Sequence, residues 1–513
     1  MEPTAPGTAP VYSVPARRLF SEDFWLGALW FATLVQAVVV ATHAPAGRSD
    51  HGFEFALANV LVVIGLFSHC ALSLRRGHLE MPWLGFLFPL AFVLFHFGTF
   101  GLDHRWYAPE FFGYAWQVAS LGLLSWLCGY DLTRGRRRIR RRPVFTIGGR
   151  AISPLQAGTV LLVAKMGFVL SVALQASLPL SYGAVAFFTR VYGKEALTPT
   201  GDNWQAYLYA LGGITMAPSL VTLAVASVGA SGRLFPTRRW AIAVGLYLAT
   251  FLLEGDRGEL TAAVLPLVFV RHYWVRRIPW RYGVILVAVG LTMFGTLKLY
   301  RGKKDVVAAV TQTFQVSTYE MLMHEMGNTL DTVVRSMALV PTRENYFAGK
   351  TYLWALARAL PNVSLQPRDW GFVSSVWIVE KTAPDVAARF GGFGYSVVAE
   401  AYINFGGVGA GAFLCVIGLL TGTLERRLAG PRVSIWAIVL VLLFEMALLM
   451  HVRNTAVIFV RGFIWTAAIV LMLRATSSVL FVSRPRRPLK HSVMGSGREI
   501  AAGNPPLVEG ATT

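Results

Sequence analysis

Residues 134–142 read RGRRRIRRR, and on either side stand apolar runs, 111–130 and 154–175. Each run is close to the roughly 20 residues a helix needs to cross the hydrocarbon core of a membrane. Working outward, the alternation recurs. Apolar runs fall at 24–42, 55–74, 81–101, 111–130, 154–175, 204–230, 240–254, 259–272, 282–300, 400–422, 433–452 and 455–474. Every second connection collects cations: Arg75–Arg76, the run at 134–142, Arg233 with Arg238–Arg239, Arg271 with Arg276, Arg277 and Arg281, and Arg426–Arg427 with Arg432. Lys and Arg gather on the cytoplasmic side of membrane proteins, so the pattern predicts an all-α, polytopic chain of twelve transmembrane helices with both termini cytoplasmic. The expected divisions are a disordered cytoplasmic segment at 1–23, nine spans within 24–300, a large periplasmic loop at 301–399 between spans 9 and 10, three spans within 400–475, and a cytoplasmic tail at 476–513.

The composition agrees. Of 513 residues, 55% are hydrophobic and 14% charged, against about a quarter charged in soluble chains. The net charge of +20 follows from the cation-rich cytoplasmic connections, so no nucleic-acid partner is expected. Cys70, Cys128 and Cys415 all fall in apolar runs without metal-ligand spacing. There is no P-loop, no H-E-x-x-H and no G-x-S-x-G. Neither a metal nor a cofactor is expected.

Two spans are short. At 1.5 Å per residue, the fifteen residues of 240–254 cover only about 22 Å of a core about 30 Å thick. The turn between them, EGDRGE at 254–259, is therefore expected to lie below the membrane surface, or else the bilayer thins locally. In the outer segment, 319–337 reads as an amphipathic helix with Glu320, His324, Asn328, Asp331 and Arg335 on one face. Glu320 and His324, one turn apart, suit a shared proton; a solvated surface face gives the same spacing. Arg257, Lys298, Arg301, Arg453 and Arg461 cluster near the outer boundary, where guanidinium groups suit a diphosphate. Lys165 and Glu445, both inside apolar runs, are expected to pair with each other or mark a proton path.

Several stretches of the C-terminal half are similar to one family. They are Gly255-Asp256-Arg257, HEMGNTLDTV at 324–333, AGKTYLWAL at 348–356 followed by LPN, Arg461-Gly462, and above all GFGYSVVAEAYINFGGVGAG at 392–411. The chain resembles the oligosaccharide repeat-unit polymerases, the Wzy-type O-antigen polymerases of bacterial envelopes. That resemblance implies a metal-independent glycosyltransferase of the bacterial inner membrane that acts on its periplasmic face. It would move a growing glycan from undecaprenyl diphosphate to the sugar end of another lipid-linked repeat unit. Such a reaction, with its leaving group already activated, needs positioning, charge stabilisation and a base. The implied roles are diphosphate binding for Arg257, Arg453, Arg461 and Arg301, base for Glu325 or His324, and shaping of the cavity for Glu400, Tyr402 and Asn404. Glu400 and its neighbours equally suit capping and packing of their own helix. Expected partners are undecaprenyl-diphosphate-linked oligosaccharides, membrane lipids and a polysaccharide chain-length regulator. An O-antigen ligase using the same donor, or a flippase for lipid-linked oligosaccharides, is the competing expectation.

Overall fold

The computed structural model describes residues 83–97, 107–134, 143–182, 204–254, 257–276, 278, 329–360, 372–388 and 392–482. The spans expected at 24–42, 55–74 and 282–300 lie outside the described residues. Fourteen described helices carry the architecture. In chain order they are α1 (Trp83–Phe97), α2 (Phe112–Arg134), α3 (Pro154–Gln175), α4 (Ser177–Tyr182), α5 (Trp204–Ser231), α6 (Arg238–Glu254) and α7 (Arg257–Val270). The series continues with α8 (Thr329–Leu339), α9 (Lys350–Ala359), α10 (Ser374–Thr382), α11 (Pro384–Ala388), α12 (Val397–Leu428), α13 (Ile435–His451) and α14 (Ala456–Val482). Segments 109–133, 154–181, 204–231, 397–428 and 456–481 are long and apolar enough to cross a membrane, and α1 and α13 hold shorter apolar helices. This is the build of an integral membrane protein.

Local sequence sets the helix ends. Ser153 and Gln156 form a reciprocal capping box at α3, with Pro154 in the first turn. Ser396 accepts from the Val398 and Ala399 amides at the start of α12.

The helices share two buried cores. One joins Phe88, Phe92, Trp116 and Trp126 of α1 and α2 to Leu330, Val334 and Met337 of α8 and to α12. The other joins α3, α5, α6 and α7 to α13 and α14, with Phe168, Leu220, Phe251 and Ile438 at its centre. α13 serves both, Phe444 and Leu448 in the first and Trp436 and Leu442 in the second.

α2 and α12 are the most intimate pair. Tyr114 lies over Gly407, Leu121 over Gly411 and the Trp126 carbonyl against Gly418. Tyr130 donates to Glu425 one turn further along. The positions advance together, so the helices run parallel. A Cβ at Gly129 or Gly418 would collide with backbone of the partner helix, so the absent side chains set how closely the two approach.

One end of the bundle, the sheet end, carries a feature absent from the all-α expectation. β1 (Val144–Ile147) pairs antiparallel with β2 (Arg150–Ala151) and parallel with β3 (Arg432–Ser434). β1 follows the arginine run at 134–142, and β3 follows Arg426–Arg427. The sheet thus ties together two of the connections grouped by charge. Strands of two to four residues between long helices are too short to show a period-2 pattern, which is why the sequence did not announce them. Trp274, in a π-helical turn (Arg271–Val275) after α7, packs edge-on against Phe145 of β1.

The opposite end, the loop end, gathers α8 to α11. Here the short pair α6 and α7 turns back early. Glu259, in the first turn of α7, has Oε1 3.1 Å from where a Cβ on Gly213 would sit. Gly213 is nine residues, or about 13.5 Å, from the loop-end tip of α5. Glu259, at the start of α7, therefore lies beside α5 well short of its loop-end tip.

Candidate functional site at the loop end

The site is built where α12 begins. Val397–Asn404 forms its first two turns, and Gly406 then adopts φ +71° and ψ −174°, interrupting the helix. Below this break the helix resumes against α2; above it Glu400, Tyr402 and Asn404 sit under the loop helices. Of the glycines around the site, Gly407 is approached closely by Tyr114 while Gly392 has open space. Gly394, at φ +77°, leaves room for Arg453, whose Nε would be 3.3 Å from a Cβ there.

Glu400 is 1% exposed. Its Oε1 accepts from Ser374 Oγ of α10 at 2.7 Å, and its Oε2 accepts from the Ala456 amide at 3.3 Å. The second bond places a carboxylate at the N-terminus of α14, where orphan amides and the helix dipole favour negative charge. Asn404 is also buried and uses both ends of its amide. Oδ1 accepts from Gly349 N at 2.9 Å, while Nδ2 donates to Thr351 Oγ1 and to the Glu400 carbonyl, both at 2.7 Å. Phe347 N and Ala348 N donate to the Ile403 and Asn404 carbonyls at 2.9 and 3.1 Å. The amide and the chain before α9 are thus locked to α12. Tyr402 donates to Val340 O at 3.1 Å and lies edge-on to Tyr114 and Tyr346. Tyr395 is buried beside this group. Burial and then the nearby Glu400 hold its phenol well above its ordinary ionisation range, while the Ser336 and Ser374 hydroxyls pull weakly the other way.

The site residues expected from sequence are distributed as follows. Glu400, Tyr402 and Asn404 are together. Arg453 sits in the turn between α13 and α14, half-buried, its guanidinium 5.6 Å from the Phe95 ring centre and its carbonyl accepting from Tyr395 N at 3.1 Å. Arg461 is exposed on α14, one to two turns below Ala456. Arg257 opens α7 at the loop end. His324, Glu325, Arg301, Lys298, Glu320 and Asn328 lie outside the described residues.

Two expectations change. The face of 319–337 that a surface helix would expose to solvent is buried where it is described. Asp331 is 4% exposed and accepts from Arg335 Nε at 2.6 Å. The Arg335 guanidinium lies between the rings of Tyr107 and Phe393, at 4.6 and 4.2 Å, and bonds Thr382 Oγ1 at 2.9 Å. Arg335 thus holds α8, α10 and the chains entering α2 and α12 together. Lys165 and Glu445 do not pair: Lys165 Nζ stands 5.4 Å over the Trp240 ring, while Glu445 lines a small cavity with Leu87, Pro266 and Phe269.

Two histidines escaped sequence reasoning. His96, wholly buried at the end of α1, meets the Phe92 carbonyl through Nδ1 at 3.0 Å and Ser396 Oγ through Nε2 at 2.8 Å. In the neutral ring Nδ1 carries the proton, so Ser396 donates to Nε2. His451, 1% exposed at the end of α13, meets the Asn454 carbonyl through Nδ1 at 3.0 Å and stacks on Phe459. The available signal was an ionisable residue inside an apolar run, the criterion that singled out Lys165 and Glu445. Among the described residues, no three His, Cys, Asp or Glu side chains gather as metal ligands would.

No curated protein and no solved structure matches the chain. Residues 234–483, just under half its length, do match a family, described as O-antigen polysaccharide polymerase Wzy. That stretch runs from the entry to α6 through the end of α14 and takes in every described member of the Glu400 and Asn404 network. Over residues 234–483 the chain is therefore similar to the Wzy-type O-antigen polymerases.

Proposed function

We propose that this protein polymerises undecaprenyl-diphosphate-linked oligosaccharide repeat units at the periplasmic face of the inner membrane. The loop end faces the periplasm and the sheet end the cytoplasm, in a twelve-span topology. The carrying observation is the Glu400–Asn404 cluster. The stretch most similar to the polymerases folds into a buried clamp that fixes three loop segments and the start of α14 over the end of the bundle. Trp274 lies at the sheet end and Thr329 at the loop end, in keeping with a span at 282–300.

In this reading an acceptor sugar hydroxyl attacks the anomeric carbon of the donor glycan. The bond from that carbon to the diphosphate breaks, undecaprenyl diphosphate departs, and the hydroxyl proton passes to Glu325 or His324. Arg257, Arg301, Arg453 and Arg461 stabilise the departing diphosphate, bidentate guanidinium contacts suiting its oxygens. Glu400, Tyr402 and Asn404 shape the cavity by holding the loop rather than by touching substrate, since each is already hydrogen-bonded and buried. In this reading the arginines, rather than a metal, stabilise the charge on the departing diphosphate. A chain-length regulator is the expected protein partner.

The test is a gel profile of surface polysaccharide from a strain lacking the gene, with and without complementation. The expected result is loss of the high-mass ladder while a single repeat unit stays attached. Loss of all attached glycan, with polymer building up on its lipid carrier, would instead make the protein a ligase. Repeat units trapped on the cytoplasmic face would make it a flippase. Within the polymerase reading, Arg257→Ala and Arg461→Ala each lower polymer yield at normal protein level; an unchanged ladder in both removes the diphosphate assignment.

A further inference from the structure

α9 belongs to the segment expected to be an aqueous loop, yet its position and packing fit lipid. Depth can be counted along two helices. From Arg427, in the last turn of α12, a core of about 30 Å at 1.5 Å per residue ends about 20 residues earlier, near Gly407. The same count from Arg134 along α2 ends near Tyr114, and Tyr114 lies directly over Gly407. The two rulers agree, and the aromatic group of Tyr114, Tyr346 and Tyr402 stands where such rings collect, at the membrane–water boundary. Tyr352 of α9 stacks on Phe413, ring centres 4.8 Å apart. Phe413 is six residues, or about 9 Å, inside that boundary.

The helix is also inverted relative to a helix on a soluble surface. Its buried positions are small: Thr351 at 2%, Ala355 at 0% and Ala359 at 5% exposure, four residues apart. They let α9 lie close along α14. Its leucines point out: Leu353 is 64%, Leu356 49% and Leu360 63% exposed. Small residues at the contact and leucines outward is how helices pack in lipid, where turning leucine inward gains nothing. Neighbouring loop helices follow the opposite rule. α8 buries Leu330, Val333 and Met337, and α10 buries Trp377 and Ile378 while exposing Glu380 and Lys381. Of the charges in α9, Lys350 stands exposed at the boundary end, and Arg358 is half-buried and engaged by the protein.

We infer that α9 is a re-entrant helix, embedded in the loop-end leaflet with Leu353, Leu356 and Leu360 against the acyl chains of bilayer lipid. Its first turn is bonded to Asn404 through Gly349 and Thr351, so the buried clamp is anchored in the membrane as well as to the bundle. This goes beyond the polymerase reading and does not rest on it.

The experiment uses the full chain in lipid bilayers, with the three native cysteines replaced by serine and one nitroxide label at a time. Labels at Leu353→Cys, Leu356→Cys and Leu360→Cys are compared with a lipid-facing pair on α14, Leu471→Cys and Met472→Cys, and with an aqueous pair, Glu380→Cys and Asp385→Cys. The expected result is that collisions with oxygen dominate over those with a water-soluble nickel chelate at the three leucine sites, as on α14, with the ratio reversed at 380 and 385. A ratio at the leucine sites matching 380 and 385 overturns the inference. So does exclusion of both reagents, which would mean another segment of this chain or a second copy covers the face. The α14 labels report whether each preparation is folded in the bilayer, and polymer synthesis does not enter the readout.

Discussion

Asn404 leaves no polar atom of its side-chain amide without a partner, and its three contacts join the start of α9, at Gly349 and Thr351, to the preceding turn of α12, at Glu400. Asn404→Asp keeps the shape and the acceptor for Gly349 N, and the Thr351 hydroxyl can turn to donate, but the contact with the Glu400 carbonyl becomes acceptor facing acceptor beside a buried charge. Each buried group left without its partner costs about 1–3 kcal/mol, so thermal unfolding of the detergent-solubilised protein should fall by several degrees. An unchanged melting temperature would mean that the network does not hold the loop. Glu400→Gln should cost less, because Ser374 Oγ can accept from the amide nitrogen while the amide oxygen still accepts from Ala456 N, leaving only the carboxylate's charge at the start of α14 lost. The two residues were legible because a motif of twenty residues carried them. Their partners were not. Ser374 lies outside every recognised stretch, Thr351 lies inside AGKTYLWAL without any sign of what it bonds, and only the fold brings their hydroxyls within 2.7 Å of α12 residues.

Hydropathy located the helices closely because a long apolar run is a strong signal. The run read at 204–230 is a helix at Trp204–Ser231, and the short one read at 240–254 is Arg238–Glu254. Hydropathy says nothing about pairing, and the parallel contact of α2 and α12 rests on glycines spaced among bulky residues. A methyl group on Gly418 meets backbone of α2, which cannot move aside as a side chain can. Gly418→Ala should therefore destabilise the protein by about 1–3 kcal/mol, as overpacking does. Gly245→Ala is the control. Gly245 lies in α6 with open space where a Cβ would be, so this change should be neutral or stabilising by up to about 1 kcal/mol from helix propensity. Unfolding scans of the two variants must diverge; equal shifts would mean that the close contact of α2 and α12 does not occur. The buried Asp331–Arg335 pair marks where periodicity misleads. A polar stripe on a helix predicts a face toward water only when nothing covers it, and here aromatic rings from two other segments do.

At the scale of the whole molecule, the cations and the polar clamp separate to opposite ends. The arginines at 134–142 and at 426, 427 and 432 flank a sheet that joins their two connections. Glu400, Asn404, Arg453 and the recessed start of α7 share the other end. Charge bias fixes orientation through the connections near span ends, so the sheet end should stay in the cytoplasm. Sidedness then decides the chemistry, because a donor already carried across the membrane is met only on the far face. Two single cysteines in a cysteine-free background test it in intact cells. One replaces Gly148, in the open turn between β1 and β2; the other replaces Asp385, exposed on α11. A thiol reagent that cannot cross the inner membrane should label 385 and spare 148 until the cells are permeabilised. Labelling of both would place the two ends on one side and remove the odd number of crossings between them. Labelling of 148 alone would turn the molecule over and place the clamp where lipid-linked units are assembled rather than joined. The polymerase reading would then fail, even with the fold intact.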